Sequence, residues 1–415
     1  MTLKRPEEYD FLDPQLQRCP FEFYASLREY APVYREPRTG YWIVSRYDDL
    51  LEVKKDPRRF SNDYVRAISI KKPPPEALAL YRQAMRRPAT LQRTDPPVHT
   101  RYRKLIGRTF TVSRVRAMTP DILRVVDHLL GRFPADGRID FVRDFGVPLP
   151  CFIIADQIGV PREQALMLKV WSDALLDPVG LMITPEREVE CARLTLEFQQ
   201  YFKEQIEARR REPRDDILSD LSSRIEGEDP FTVEEVINLI EQIMTGGNES
   251  TTGLLGSAML QLIRHPEQQQ YLRAHPEGIE NFVEEALRTE TPVQSNFRVT
   301  TEATELGGVQ LPKGAVLVLR YGAANRDERR FTDPETFDVC RRDVAAHVAF
   351  GAGIHHCPGG MLARQETLVA FTELLRRFER FELLVPEEEL QYHPTFFLRG
   401  LRSLPLRVVP AAGAG

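Results

Sequence analysis

The chain has 415 residues, 42% of them apolar and 28% charged, with a formal net charge of −5. Acidic and basic residues are interspersed and no polybasic tail is present, so nothing in the charge pattern argues for a nucleic-acid partner or a membrane surface, and neither is expected. No signal-length apolar segment opens the chain and no run approaches the roughly 20 apolar residues of a membrane span, so a soluble cytoplasmic protein is expected; a monomer is expected as well.

In chain order, the residues up to Asp63 read as a short helix, a strand in YWIVSRY from Tyr41, and a helix from Asp48 to Lys55. Residues 64–94 contain Pro73, Pro74 and Pro75 and several arginines, and read as a long surface loop with one helix in it, a common form for lids and binding loops. Arg66, Lys71 and Arg87 in that loop suit a pocket and a solvated surface equally well. From Asp95 a helix begins with His99 and Arg103 four residues apart; two donors on one face can clamp a carboxylate, although alone they would more often be a solvated face. Residues 115–225 read as successive amphipathic helices punctuated by Pro161, Pro178, Pro185 and Pro213.

The segment from Phe231 to Glu267 carries a capping box at Thr232 and Glu235 and an apolar helical face that lasts until Pro266. About thirty helical residues would span some 45 Å. Gly246 and Gly247 sit inside it at a cost of roughly 1 kcal/mol each against alanine, so something there requires them. Glu249 and Ser250 alone would suggest back-bonding and solvent exposure. On the following helix Glu285 and Arg288 are neighbours, and most such pairs are surface pairs. Beyond Gln294 the period changes to short antiparallel strands with Gly-Gly and Pro-Lys-Gly turns.

Phe350 to Gly360, FGAGIHHCPGG, places Cys357 in a loop with Gly351, Gly353, Gly359 and Gly360, directly before a helix beginning near Met361. Glycine supplies backbone freedom, and the helix N-terminal amides favour thiolate over thiol. A zinc site lacks a second His/Cys pair among the eight histidines and five cysteines. The other cysteines, Cys19, Cys151, Cys191 and Cys340, are scattered, and no disulfide is expected.

This loop resembles the F-G-x-G-x-H-x-C-x-G haem-binding loop of the cytochrome P-450 family, matched by Phe350, Gly351, Gly353, His355, Cys357 and Gly359. DPPVHTRYR resembles the family's D-P-P-x-H-x-x-x-R stretch, TGGNEST its oxygen-binding segment, and Glu285 with Arg288 its E-x-x-R pair. The resemblance covers nearly the whole chain. It implies a mainly α, triangular-prism fold with a small β portion and a long central helix over haem. One domain would span residues 1–415, β-rich at about 35–65, 295–325 and 385–410 and helical at about 66–290 and 358–380.

The resemblance makes Cys357 the axial ligand of haem b, with Phe350, Gly359 and Gly247 against the cofactor and His99, Arg103, Arg298 and His355 on its propionates. It makes Glu249 a proton-relaying acid and Ser250 the alcohol, where threonine is commoner, with Thr251 an alternative. Ser250 lacks a methyl and is less fixed, so some leakage of peroxide is expected. Glu285, Arg288 and Arg341 would form a buried scaffold cluster. Pro292, Val293, Gln294, Ser295, Phe396 and Phe397 would line a substrate pocket, or else pack the sheet. Pro358 stands where many relatives have an amide hydrogen, so one hydrogen bond to sulfur is lost.

The implied reaction is monooxygenation of a small organic molecule with O₂. Its electrons would come from NAD(P)H through a separate ferredoxin and ferredoxin reductase. A hydrogen-peroxide-driven peroxygenase and a non-catalytic haem sensor are the alternatives; the Glu249/Ser250 pair speaks against both.

Overall fold

The computed structural model describes residues 3–65, 67–68, 72–223 and 229–411. Arg66 and Lys71 lie outside the described residues.

Seven helices organise the site: α1 (Tyr47–Lys55), α2 (Val98–Thr109), α3 (Pro148–Ile158), α4 (Ala165–Leu176), α5 (Val233–Arg264), α6 (Ile279–Glu290) and α7 (Gly360–Arg377). Helix α5 has 32 residues, about 48 Å at the usual rise. Its start is the expected capping box: the Thr232 hydroxyl accepts from Glu235 N–H, and the Glu235 carboxylate accepts from Thr232 N–H. Apolar side chains on nearly all its sides are buried, because α3, α4, α6 and α7 pack around it.

The strands are β1 (Val33–Arg35), β2 (Trp42–Val44), β3 (Phe60–Ser61), β4 (Arg138–Asp140), β5 (Ser295–Thr300), β6 (Thr304–Leu306), β7 (Val309–Leu311), β8 (Val316–Arg320), β9 (Phe378–Leu383) and β10 (Pro405–Pro410). They form a five-stranded sheet ordered β1-β2-β8-β5-β3, a three-stranded sheet β4-β10-β9 and the hairpin β6-β7. In the first sheet only β2 and β8 run parallel. The helical core centres on α5, and two further apolar clusters cover the faces of the five-stranded sheet.

Two elements depart from the sequence reading. The stretch read as wholly helical contains β4, which pairs Ile139 with Leu406 near the C-terminus. Three residues carry no period of their own, so only the distant partner makes them a strand. Strand β9 follows α7 without a break, so that its first residues fall where the helical part was expected to run to about 380 and the strand begins before the β-rich part expected from about 385.

Candidate active site

The Cys357 loop is closed by its own backbone: Cys357 N–H donates to the Phe350 carbonyl at 2.9 Å. Gly351 and Gly353 have φ of +70° and +68°, where a side chain would be strained, and a Cβ on Gly353 would stand 2.6 Å from the Lys54 carbonyl oxygen. Gly360 is pressed against the Phe350 ring, where a Cβ would come within 3.2 Å. Gly359 has an ordinary φ of −85° and open space beside it. Backbone freedom is thus required at two of the four glycines, not at all of them.

The expected preference for thiolate is only half met. The amides of Gly359 and Gly360 and the guanidinium groups of Arg103 and Arg364 pull the Cys357 thiol down, but burial outweighs them and its pKa lies above the ordinary value. A cation bound to the sulfur would supply the missing compensation.

Between this loop and α5 lies a cavity of about 800 Å³, walled on one side by Phe350, His355, Cys357 and Gly359 and on the other by Gly246, Gly247, Ser250 and Thr251. His99 and His355 meet at one end with ring centroids 4.1 Å apart, and the Nε2 atom of each is buried without a partner among the described residues. Arg103 lines the cavity beside them; Arg298 and Lys54 are buried close by. Burial, then the charges of Arg298, His99 and Lys54, push His355 down to about 2. Burial and Arg298 hold Lys54 far below its usual value. The carboxylate near this group, Asp95, is committed to the Ser61 hydroxyl and the Asn62 amide. Mutually repelling cations beside two unpaired donors fit a ligand that brings two negative charges, as the haem propionates do.

On α5 the two glycines differ. A Cβ on Gly246 would meet nothing within 4 Å, whereas one on Gly247 would stand 2.7 Å from Ile154 Cδ1 of α3. Both glycines line the cavity; Gly246 leaves room for a flat ligand, while Gly247, assigned to the cofactor by sequence, also permits the close packing of α3. Ser250 faces the cavity and donates to the Gly246 carbonyl four residues back at 2.5 Å. Thr251 is buried and also lines the cavity. Glu249 points elsewhere, into a small second cavity it shares with Asp173, Thr252 and His393. Its carboxylate lies 3.2 Å from Lys169 Nζ, and its Oε1 has no partner among the described residues. Burial raises its pKa to about 8 against the opposing pull of Lys169. The acid and the alcohol thus stand on different faces of one helix.

The substrate wall needs correction. Pro292, Val293 and Phe397 line the cavity, but Gln294, Ser295 and Phe396 do not. The Gln294 amide donates to the carbonyls of Glu290 and Thr291 and accepts from the Tyr24 hydroxyl. Ser295 accepts from Arg320 at 2.7 Å, and Phe396 packs on Phe11 with ring centroids 4.8 Å apart. Their places are taken by Asn296, Phe297 and Leu398. What turns the three away is a partner from elsewhere in the chain, Tyr24 for Gln294, Arg320 for Ser295 and Phe11 for Phe396. Arg87 lines the cavity, tied with Arg93 to the buried carboxylate of Glu241.

Glu285 accepts two bonds from Arg288 at 2.7 Å each and one from Arg341 Nε at 3.0 Å, all buried. The two guanidinium groups go on to the carbonyls of Asn325, Thr332, Pro334 and Thr336. Sequence reasoning missed Lys54, Glu284, His347, Arg364 and Glu366. Their spacing resembles that of ordinary charged helix positions, and only the packed loop brings them toward the cysteine.

A mainly helical fold with a glycine-rich cysteine loop and buried cations beside one cavity is the arrangement that a haem-thiolate protein requires. The family profile described as Cytochrome P450 matches residues 277–399. The chain is 35% identical over 374 residues to Cytochrome P450 107B1 of Saccharopolyspora erythraea, covering 88% of this chain and 89% of that one. It is 36% identical over 397 residues to Cytochrome P450 monooxygenase PikC of Streptomyces venezuelae, covering 94% and 91%. Cytochrome P450 CYP109Q5 from Chondromyces apiculatus superposes with a TM-score of 0.84 at 33% identity, covering 98% of this chain and 99% of that one. The chain belongs to the cytochrome P450 family, as a monooxygenase of bacterial type. Among the described residues no helix is long and apolar enough to cross a membrane.

Proposed function

We propose that Cys357 is the axial ligand of haem b, that His99, Arg103, Arg298 and His355 hold its propionates, and that Phe350 and Gly359 pack against it. The observation that carries this reading is the pair of buried histidine nitrogens, without a partner among the described residues, at the cavity that Cys357 lines. When bound, the haem supplies activation of O₂ for insertion of one oxygen atom into a small organic substrate. Ser250 or Thr251 holds a proton donor at the cavity wall. Glu249, on the adjoining face, passes protons inward from the Lys169 and Asp173 side.

Electrons come from NAD(P)H through a ferredoxin and its reductase. Near Cys357 the surface offers exposed Ile354 (40%) and Met361 (39%), with the exposed cation Lys55 at the end of α1, the helix that packs against the loop. Apolar contacts beside a positive charge suit a small acidic carrier. The substrate meets an apolar wall of Pro292, Val293, Phe297, Phe397 and Leu398 and a polar one around Glu241 and Gln242.

The test is the absorption spectrum of the reduced protein with carbon monoxide. A strongly red-shifted Soret band that Cys357→His abolishes is expected; a band at the shorter wavelength of histidine or thiol ligation in the parent overturns the assignment.

A further inference from the structure

Outside the propionate clamp and the α5 relay, a cluster of charged side chains beside the cysteine loop is unused by the proposed chemistry. Glu284 of α6 accepts from Arg364 of α7 through both oxygens, Nε to Oε1 at 2.6 Å and Nη2 to Oε2 at 2.8 Å. Its Oε2 also lies 2.9 Å from His347 Nε2. Ala349 N–H donates to His347 Nδ1 at 3.1 Å, which leaves the ring proton on Nε2 and makes it the donor to Glu284. One carboxylate therefore ties three things: a helix of the core, the residue that leads into the cysteine loop, and the helix that leaves it.

The arginine so held lies flat on the loop. Its guanidinium carbon stands 4.3 Å from the centre of the Phe350 ring. Gly360 makes this approach feasible, because a Cβ there would stand 3.2 Å from Phe350 Cδ1 and 3.5 Å from Arg364 Nη1. On α7 the side chain of Arg364 runs back toward the helix N-terminus and Cys357. The charged and titratable groups around the sulfur are Arg103 from α2, Arg364 from α7 and His356 of the loop. Of the two guanidinium groups that favour a negative sulfur, Arg364 alone is anchored by a bidentate carboxylate pair.

We infer that Arg364, fixed by Glu284 and His347 over Phe350, is a positioning residue that withdraws charge from the Cys357 sulfur and so raises the reduction potential of the bound iron. A fixed cation stabilises the extra negative charge that reduction brings to the thiolate-bound centre. Arginine suits the place because a planar fork satisfies both carboxylate oxygens and stacks on a ring at the same time, which an ammonium cannot do. The inference rests on Cys357 being the ligand, so the red-shifted carbon monoxide band of the parent and of each variant is recorded first; its absence in the parent fails that assignment rather than this one.

The midpoint potential and the iron–sulfur stretching frequency of the haem-loaded protein are then measured for Arg364→Gln and Arg364→Lys. Arg364→Gln is expected to shift the reduction equilibrium toward the oxidised form by up to about tenfold, about 59 mV for one electron. The iron–sulfur stretch should rise as the sulfur donates more charge. Arg364→Lys should restore part of the shift, since it keeps the charge and loses the fork. A potential for Arg364→Gln equal to the parent's overturns the inference, and full restoration by lysine overturns the role of the Glu284 fork. Should Arg364→Gln not retain haem, the lysine variant decides alone: a potential below the parent's supports the positioning role and an equal one refutes it.

Discussion

At the residue scale the sulfur of Cys357 sits in a balance of burial against two amides and two guanidinium groups. Pro358 adds nothing to that balance, because it has no N–H. Pro358→Leu adds a third amide near sulfur, so its iron midpoint potential should lie above the parent's; an equal or lower value refutes the argument. Ser250 donates to the Gly246 carbonyl and has no methyl to fix it. With threonine the hydroxyl is better held, so Ser250→Thr should release less hydrogen peroxide per NADH consumed, as read by a peroxide assay during turnover.

Glu366 lines the cavity, is buried, has an oxygen without a partner among the described residues, and carries a pKa raised by burial to about 8 from 4.5. A carboxyl whose folded pKa is raised keeps its proton while the unfolded chain loses it, so it costs stability progressively as pH rises from 4.5 to about 8. Glu366→Gln removes that slope. Its melting temperature should gain on the parent's with increasing pH across this window and match it most closely below it; parallel melting curves at all pH values would refute the assignment.

At the scale of the element, α5 shows how one helix serves two surfaces. Gly247 lets α3 approach and Gly246 opens the cavity, so the same substitution has opposite consequences one residue apart. Gly247→Ala drives a methyl into Ile154 and should lower stability by about 1–3 kcal/mol in denaturant titration, after any gain in helix propensity. Gly246→Ala has no steric neighbour and should gain up to about 1 kcal/mol in the haem-free chain. It should weaken haem binding in a titration, because the methyl enters the space left for the cofactor. The Gly-Gly pair is conspicuous in sequence as a penalty inside a helix, but which glycine answers to which surface is set by the rotation of α5 against α3.

For the whole molecule, the Glu285–Arg288–Arg341 cluster joins α6 to the segment that leads into the cysteine loop. Its charges are fully buried, so removal of one partner strands the others. Glu285→Gln should cost about 3–5 kcal/mol and reduce the yield of haem-loaded protein, as measured by chemical denaturation and by haem content per chain. The same logic explains why the cation-rich clamp around His99 and His355 is tolerated. Folding brings Lys54, Arg103 and Arg298 together at an electrostatic cost that a dianionic ligand can offset, which ties stability of the fold to occupancy of the site.

How much of this was legible in the chain varies with the distance over which the information acts. The cysteine loop, the capping box at Thr232, the long apolar helix and the Glu285/Arg288 pair are local patterns, and each was readable because its physical cause lies within a few residues. The facing of Gln294, Ser295 and Phe396, the pairing of β4 with β10, the division of labour between Gly246 and Gly247, and the turn of Glu249 away from the cavity were not. Those depend on which neighbour arrives from far along the chain: Tyr24 for Gln294, Arg320 for Ser295, Phe11 for Phe396, Leu406 for Ile139, Ile154 for Gly247, Lys169 for Glu249. The sequence by itself determined the family and the ligand-bearing loop, because glycine, cysteine and histidine at that spacing have few other uses. Only the tertiary structure decided which side chains face the cavity and which cations stand beside the sulfur, because orientation is a property of packed surfaces rather than of neighbours in the chain.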